Sequence, residues 1–309
     1  MKILAIYDLS RFPNTFDFLT YLQTLSLRIS NINDRVTLLV CASDFRVTTA
    51  MEKLHFSNEY HEGKFNTVIA PIASSIKFVE CIQFTFRPLR LKDFDSLYPF
   101  DHFPHKPLSY SYSTRSVIDN FISGSSRKLY PLQMRRLEFL SPIIKEPYIT
   151  LSLRTARHNQ LRNTPLDFWF EIYKIISVNW KIIVIPDFDD VIGDRMFEKY
   201  EWNSFPEASV NLYLREALYR NAFLNTGWVG GHTSILDYSD YPFLNFGRYV
   251  PGVVESDLDF FRRKGPDFGE QPNFLSSNQK YDWTAVSDLT IDYVMNEING
   301  KVEKLSLKN

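Results

Sequence analysis

Residues 211–247 commit this chain of 309 residues to an α/β architecture more firmly than any other segment. A leucine-rich stretch at helical spacing (Leu212, Leu214, Ala217, Leu218) gives way to an apolar strand, Ala222-Phe223-Leu224-Asn225-Thr226. The chain then enters Gly227-Trp228-Val229-Gly230-Gly231-His232-Thr233-Ser234, opens a short second helix, and crosses Tyr241-Pro242 into another strand, Phe243-Leu244-Asn245-Phe246-Gly247. A glycine pair after a strand and before a helix lets backbone N–H groups approach an anion, with the positive end of the helix dipole behind them. Open α/β sheets hold diphosphates in this way, at the carboxyl ends of their strands.

The same alternation extends upstream. Tyr148-Ile149-Thr150-Leu151-Ser152-Leu153 reads as a strand, and a polar loop follows over 154–163. Thr164-Pro165-x-Asp167 predicts a helix start, with a capping residue and proline at the first helical position. Leu166, Trp169, Phe170, Tyr173 and Ile176 trace one face of that helix, and the next strand runs over 181–185 to Pro186. A closing helix is predicted over 283–298. In the first half, strands are predicted at 3–9, 35–41 and 66–72, with a helix over 16–29. Between about 86 and 128 the text is loop-rich, with Pro88, Pro99, Pro104 and Pro107 among many aromatics. Strands alternating with helices imply right-handed crossovers and parallel sheets. The length suits two such domains, placed at 1–145 and 146–309.

Bulk properties exclude several classes. Hydrophobic residues make up 44% and charged residues 23% of the chain, an ordinary globular composition. A net charge of −1 removes the electrostatic case for a general nucleic-acid binder. The two cysteines, Cys41 and Cys81, sit in or beside apolar runs and are expected as buried free thiols. No zinc-type spacing occurs, no signal peptide is legible, and no run of ~18 apolar residues spans a membrane. The expectation is a cytoplasmic protein.

Two segments could carry chemistry. The loop after the 148–153 strand holds Arg154, Arg157 and Arg162 with His158, Asn159 and Asn163. Guanidinium is a planar fork that grips phosphate oxygens two at a time, so this loop is an anion-binding candidate, with Arg154 nearest the sheet. The bland alternative is a solvated loop before a helix. The second candidate is Gly230 and Gly231 with His232, Thr233 and Ser234 at the opening of the following helix. Its hydroxyls could instead be caps and its histidine structural. Asp187-Phe188-Asp189-Asp190, after the 181–185 strand, could bind a divalent cation, although a solvated acidic turn is the favoured reading. No metal is therefore assigned.

The second half resembles the donor-binding domain of GT-B glycosyltransferases, in particular the heptosyltransferase-like and fucosyltransferase-like branches. Where heptosyltransferase-like enzymes carry a G-N-D-S-G-P turn, this chain has Gly227-Trp228-Val229-Gly230-Gly231-His232, so both glycines match and Val229 replaces aspartate. Leu153-Arg154-Thr155 is similar to the strand-end arginine with which fucosyltransferase-like enzymes hold a sugar-nucleotide diphosphate. The resemblance covers about 148–298. It implies an α/β fold of two Rossmann-like domains with parallel sheets facing across a cleft. It also implies a nucleotide-diphosphate sugar as donor, an unknown glycan or small molecule as acceptor, and no cofactor. A base near the acceptor hydroxyl completes that chemistry. Asp8, at the end of the first strand, and His102, beside Asp101 and His105, are the candidates, with a turn or cap role the alternative for Asp8. A nucleotide-sugar epimerase or hydrolase, or a non-catalytic binding protein, remains open on the same scaffold.

Overall fold

The structure, a computed structural model, describes residues 2–9, 14–26, 35–41, 57–76, 78–85, 96–98, 144–157, 160–249, 278–284 and 289–308. The chain forms two compact units, Met1–Arg136 and Leu137–Asn309.

In the first unit, β1 (Lys2–Asp8) is followed by α1 (Asp17–Ser26), β2 (Arg35–Cys41), a helical run, β3 (Val79–Thr85) and β4 (Ser96–Tyr98). The strands pair in parallel in the order β3-β2-β1-β4. The Tyr7 ring on β1 lies tilted against that of Phe18 on α1, centroids 4.5 Å apart, and the Tyr21 hydroxyl donates to the Ile6 carbonyl at 2.8 Å. The expected strand at 66–72 is a helix. α2 (Asn58–Lys64) runs through a π-helical stretch, Phe65–Ile69, into α3 (Ala70–Ser75). The Ser57 hydroxyl oxygen caps it by accepting the Tyr60 N–H at 3.3 Å. Val68, Ile69, Ile72 and Ala73 are its buried face, a helical spacing that outweighs the β-branched Thr67-Val68-Ile69 run. The cysteines are free thiols, as expected, but Cys41 is half-buried and Cys81 exposed.

The second unit is a five-stranded parallel sheet in the order β6-β5-β7-β8-β9. Its strands are β5 (Tyr148–Ser152), β6 (Lys181–Ile185), β7 (Leu224–Trp228), β8 (Phe243–Arg248) and β9 (Gln279–Thr284). Between them lie α4 (Leu166–Ile176), α5 (Phe188–Val191), α6 (Glu207–Val210), α7 (Leu212–Asn221) and α8 (Ser234–Asp237), and α9 (Ile291–Ser306) follows β9. The closing helix therefore starts later than expected, and the strand before it was not anticipated.

Side chains alternate across each strand, so each face of the sheet has its own character. Ile149, Leu151, Leu153, Leu224, Trp228, Leu244 and Phe246 share one core with Trp169 and Ile172 of α4 and Val294 and Ile298 of α9. The opposite face carries buried polar side chains on its central strands, Thr150, Ser152, Asn225 and Asn245. There Thr150 Oγ1 donates to Asn225 Oδ1 at 2.7 Å, and Ser152 Oγ lies 2.8 Å from the hydroxyl of Tyr219 on α7. The edge of β6 is occupied by the chain itself: Val184 N–H donates to Asn203 O at 2.9 Å, Phe205 N–H to Val184 O at 2.8 Å, and Asn203 Nδ2 to Ile182 O at 2.9 Å.

Candidate functional site

In the second sheet the chain steps from β5 outward to β6, then returns to place β7 on the other side of β5. The strand order reverses between β5 and β7, the position at which an open α/β sheet presents its ligand site. Ser152 pairs with Gly227, so Arg154 and Gly230 follow at nearly the same height on adjacent strands. The two segments singled out in the sequence meet there.

Arg154 is held from several directions. Its N–H donates to Thr164 Oγ1 at 2.7 Å, and Thr164 N–H returns a bond to Arg154 O at 2.8 Å. Thr164 therefore pins the arginine loop rather than capping α4, whose N-cap position is Pro165. Arg154 Nη1 donates to Asn163 Oδ1, and Asn163 Nδ2 donates to Ala156 O at 2.9 Å, which closes the loop on itself. Trp228 on β7 ties down its far end, with Nε1 donating to Arg162 O at 2.7 Å. Arg154 is only 4% exposed, so its charge is poorly screened by water.

A Cβ built on Gly230 would lie 2.8 Å from His232 Cε1 and 3.2 Å from Arg154 Cδ. That contact places Gly230 between the buried arginine and the imidazole of His232, itself 6% exposed. Gly231–Thr233 is a 3₁₀ turn, and Thr233 Oγ1 donates back to Gly230 O at 2.7 Å. Ser234, 9% exposed, begins α8. α8 has only four residues, so its dipole adds little, and close backbone approach is what the turn offers. Gly227 lies inside β7 with φ 138°, and its hypothetical Cβ would meet Ser152 O at 2.1 Å. Only glycine fits there.

Arg157 does not join Arg154. Arg157 turns to the loop after α5, where its Nη2 would lie 2.1 Å from a Cβ on Gly193. Arg162 is half-buried at the end of the 3₁₀ turn Gln160–Arg162, and its described tie is the carbonyl bond to Trp228. The acidic segment is not a solvated turn: Asp189 and Asp190 are each 2% exposed. Its carboxylates bond to backbone. Asp187 accepts the N–H groups of Thr155 at 3.1 Å and Asp189 at 3.3 Å, and Asp189 accepts that of Arg157 at 3.1 Å. Asp190 accepts those of Met196 at 2.6 Å and Phe197 at 3.0 Å, while burial pushes its carboxyl above the usual carboxylate range. Through Thr155 and Arg157 the acidic segment shapes the arginine loop. No group of three metal-ligating side chains occurs among the described residues.

Several contributors were not anticipated. Tyr281 on β9 places its hydroxyl 3.0 Å from Thr233 Oγ1 and also bonds Asp237, bracing the glycine turn from the far side of the sheet. Asn245, level with Gly227 on β8, is fully buried with neither amide atom hydrogen-bonded. In the first unit Asp8 lies at the carboxyl end of β1, where that sheet's order reverses between β1 and β4. Its charge, after burial, helps push the Cys41 thiol up to about 11. His102, Asp101, His105, His158 and Asn159 lie outside the described residues.

This architecture has solved counterparts. E. coli ADP-heptose LPS heptosyltransferase II superposes with a TM-score of 0.55 at 13% identity, over 98% of this chain and 99% of that one. This chain shares its fold. E. coli heptosyltransferase WaaC with ADP gives 0.49 at 14% identity, over 97% of this chain and 100% of its own. A family 9 glycosyl transferase from Veillonella parvula gives 0.45 at 10% identity, over 98% and 97%. No protein-family model and no curated protein sequence matches the chain. No helix among the described residues is long and apolar enough to cross a membrane.

Proposed function

We propose that the chain is a glycosyltransferase that moves a sugar from a nucleotide-diphosphate donor to a hydroxyl of a glycan or small-molecule acceptor, without a metal ion. The observation that carries this reading is the contact of Arg154 with Gly230 at the reversal of the second sheet. There a poorly screened guanidinium adjoins a turn whose backbone an anion can approach. The fold shared with an ADP-heptose enzyme supports the same donor class.

In such a transfer the bond between the anomeric carbon and the diphosphate oxygen breaks, and its electron pair leaves with the nucleoside diphosphate. Arg154, kept in place by Asn163, would stabilise that developing charge. Asp187 and Asp189 accept backbone N–H groups of the arginine loop, and in this reading guanidinium takes the role that a divalent cation plays in D-x-D enzymes. The acceptor oxygen attacks the anomeric carbon and gives its proton to a base. Asp8 is proposed for that role, with His102 the second candidate.

Titration of wild-type protein with ADP, UDP and GDP by calorimetry tests the reading. Binding of at least one, unchanged by chelator, is expected. Arg154→Ala should weaken it tenfold or more, since hydrogen bonds to charged groups are each worth about 1.5–3 kcal/mol. Because Arg154 is buried and bonded to Asn163, the variant should also lose about 1–2 kcal/mol of stability. Binding of none of the diphosphates would refute the proposal.

A further inference from the structure

Arg215 is a cation that is buried without an anion among the described residues. It lies on α7, 2% exposed, and among the described residues its guanidinium donates to neutral oxygens. Nε donates to Ala208 O at 2.9 Å, Nη2 to Pro186 O at 3.3 Å and Nη1 to the Tyr219 hydroxyl at 3.4 Å. No carboxylate pairs with it among the described residues. Asp187, Asp189 and Asp190 receive backbone N–H groups, and Glu216, its neighbour on α7, pairs with Arg220 at 3.1 Å. Burying an ion is costly unless a counter-charge is supplied, and a neutral donor such as glutamine could serve the same carbonyls. The hydrogen bonds account for a polar side chain at this position; the charge needs another explanation.

The hydroxyl chain gives its direction. Guanidinium can only donate, so the Tyr219 oxygen accepts from it, and the same hydroxyl is hydrogen-bonded to Ser152 Oγ at 2.8 Å. Tyr219 and Ser152 are both buried, and Ser152 closes β5 two residues before Arg154. The buried charge is therefore relayed to the strand end where the candidate anion site starts. We infer that Arg215 is a positioning residue for that site: its charge, relayed through Tyr219 and Ser152, favours a phosphate-bearing ligand at the Arg154–Gly230 turn, and the ligand supplies the missing negative charge. This rests on the nucleotide-diphosphate reading above.

The test compares full-length wild type, Arg215→Gln and Arg215→Lys, each titrated with ADP and UDP and with adenosine and uridine. A unit charge on the order of 10 Å away at an effective dielectric of about 20 is worth roughly tenfold in affinity. Arg215→Gln should therefore bind the diphosphates about tenfold more weakly while nucleoside binding stays unchanged, and Arg215→Lys should recover most of the loss. Equal losses for nucleosides and diphosphates, or no loss at all, would leave Arg215 purely structural and overturn the inference. If Arg215→Gln does not fold, Tyr219→Phe keeps the charge and its carbonyl partners but cuts the relay. It should weaken the diphosphates alone by severalfold, and wild-type affinity in that variant overturns the relay. A wild type that binds no diphosphate refutes the proposed function as well, whereas normal wild-type binding with unaltered Arg215 variants refutes this inference alone.

Discussion

A methyl group on Gly230 would stand 2.8 Å from His232 Cε1, 3.0 Å from its Nδ1 and 3.2 Å from Arg154 Cδ. The backbone there is extended, so conformation does not demand glycine; space does. Gly230→Ala should force both side chains aside. We expect nucleoside diphosphate affinity to fall about tenfold while stability drops by only about 1–2 kcal/mol, within the usual overpacking range; paired calorimetry and thermal melts check this. Arg154 and Gly230 were legible in the sequence because each comes two residues after a strand end, where a sheet of this class presents its ligand site. Arg157 shared that spacing yet turns to Gly193, a choice set by a neighbouring crossover that local sequence does not encode. Arg215 and Tyr281 could not be read at all. Their roles rest on contacts 29 and 48 residues away in the chain, to Pro186 and Thr233.

Among the elements, alternation of apolar strands with helical spacing gave β1, β2, β5, β6, β7 and β8 within a few residues. The misses have physical causes. At 66–72 three consecutive β-branched and aliphatic residues looked extended, but the Ser57 cap and the burial of Ile72 and Ala73 show a helix in which packing decides. β9 carries Lys280 and Asp282 among its aromatics, so its alternation was hidden by charges that pair with each other at 3.0 Å. α9 brings Lys301 to the same corner, and burial, followed by the charges of Lys304, Lys280 and Lys308, lowers it from 10.5 to about 8. Between those values the unfolded chain holds a proton that the folded chain has lost, so stability rises with pH across this window. Lys301→Met should abolish that rise and add about 1 kcal/mol near neutral pH, the full shift being discounted for partial exposure. Thermal melts of both proteins from neutral to alkaline pH read it.

At the scale of the molecule, the five tryptophans, Trp169, Trp180, Trp202, Trp228 and Trp283, all belong to the unit Leu137–Asn309. Indole emission therefore reports on that unit alone, whereas far-ultraviolet circular dichroism reports on both. A nucleoside diphosphate held by the second sheet should raise the emission-detected stability by about 2.7 kcal/mol at a hundredfold excess over its Kd. A ligand-induced shift seen only by circular dichroism would place the binding elsewhere. The two-sheet plan was accessible from sequence because parallel strands buried on both faces demand helices between them; the distribution of polar groups over one face of the second sheet was not, since it emerges only when strands are laid side by side.

The segment that runs along β6 has a consequence for self-association. With Asn203 and Phe205 occupying the backbone groups of Val184, that side of the sheet offers no template for a foreign strand. Copies of this protein that meet there must recognise one another through side chains, and fibril-like growth by sheet extension is closed at that margin.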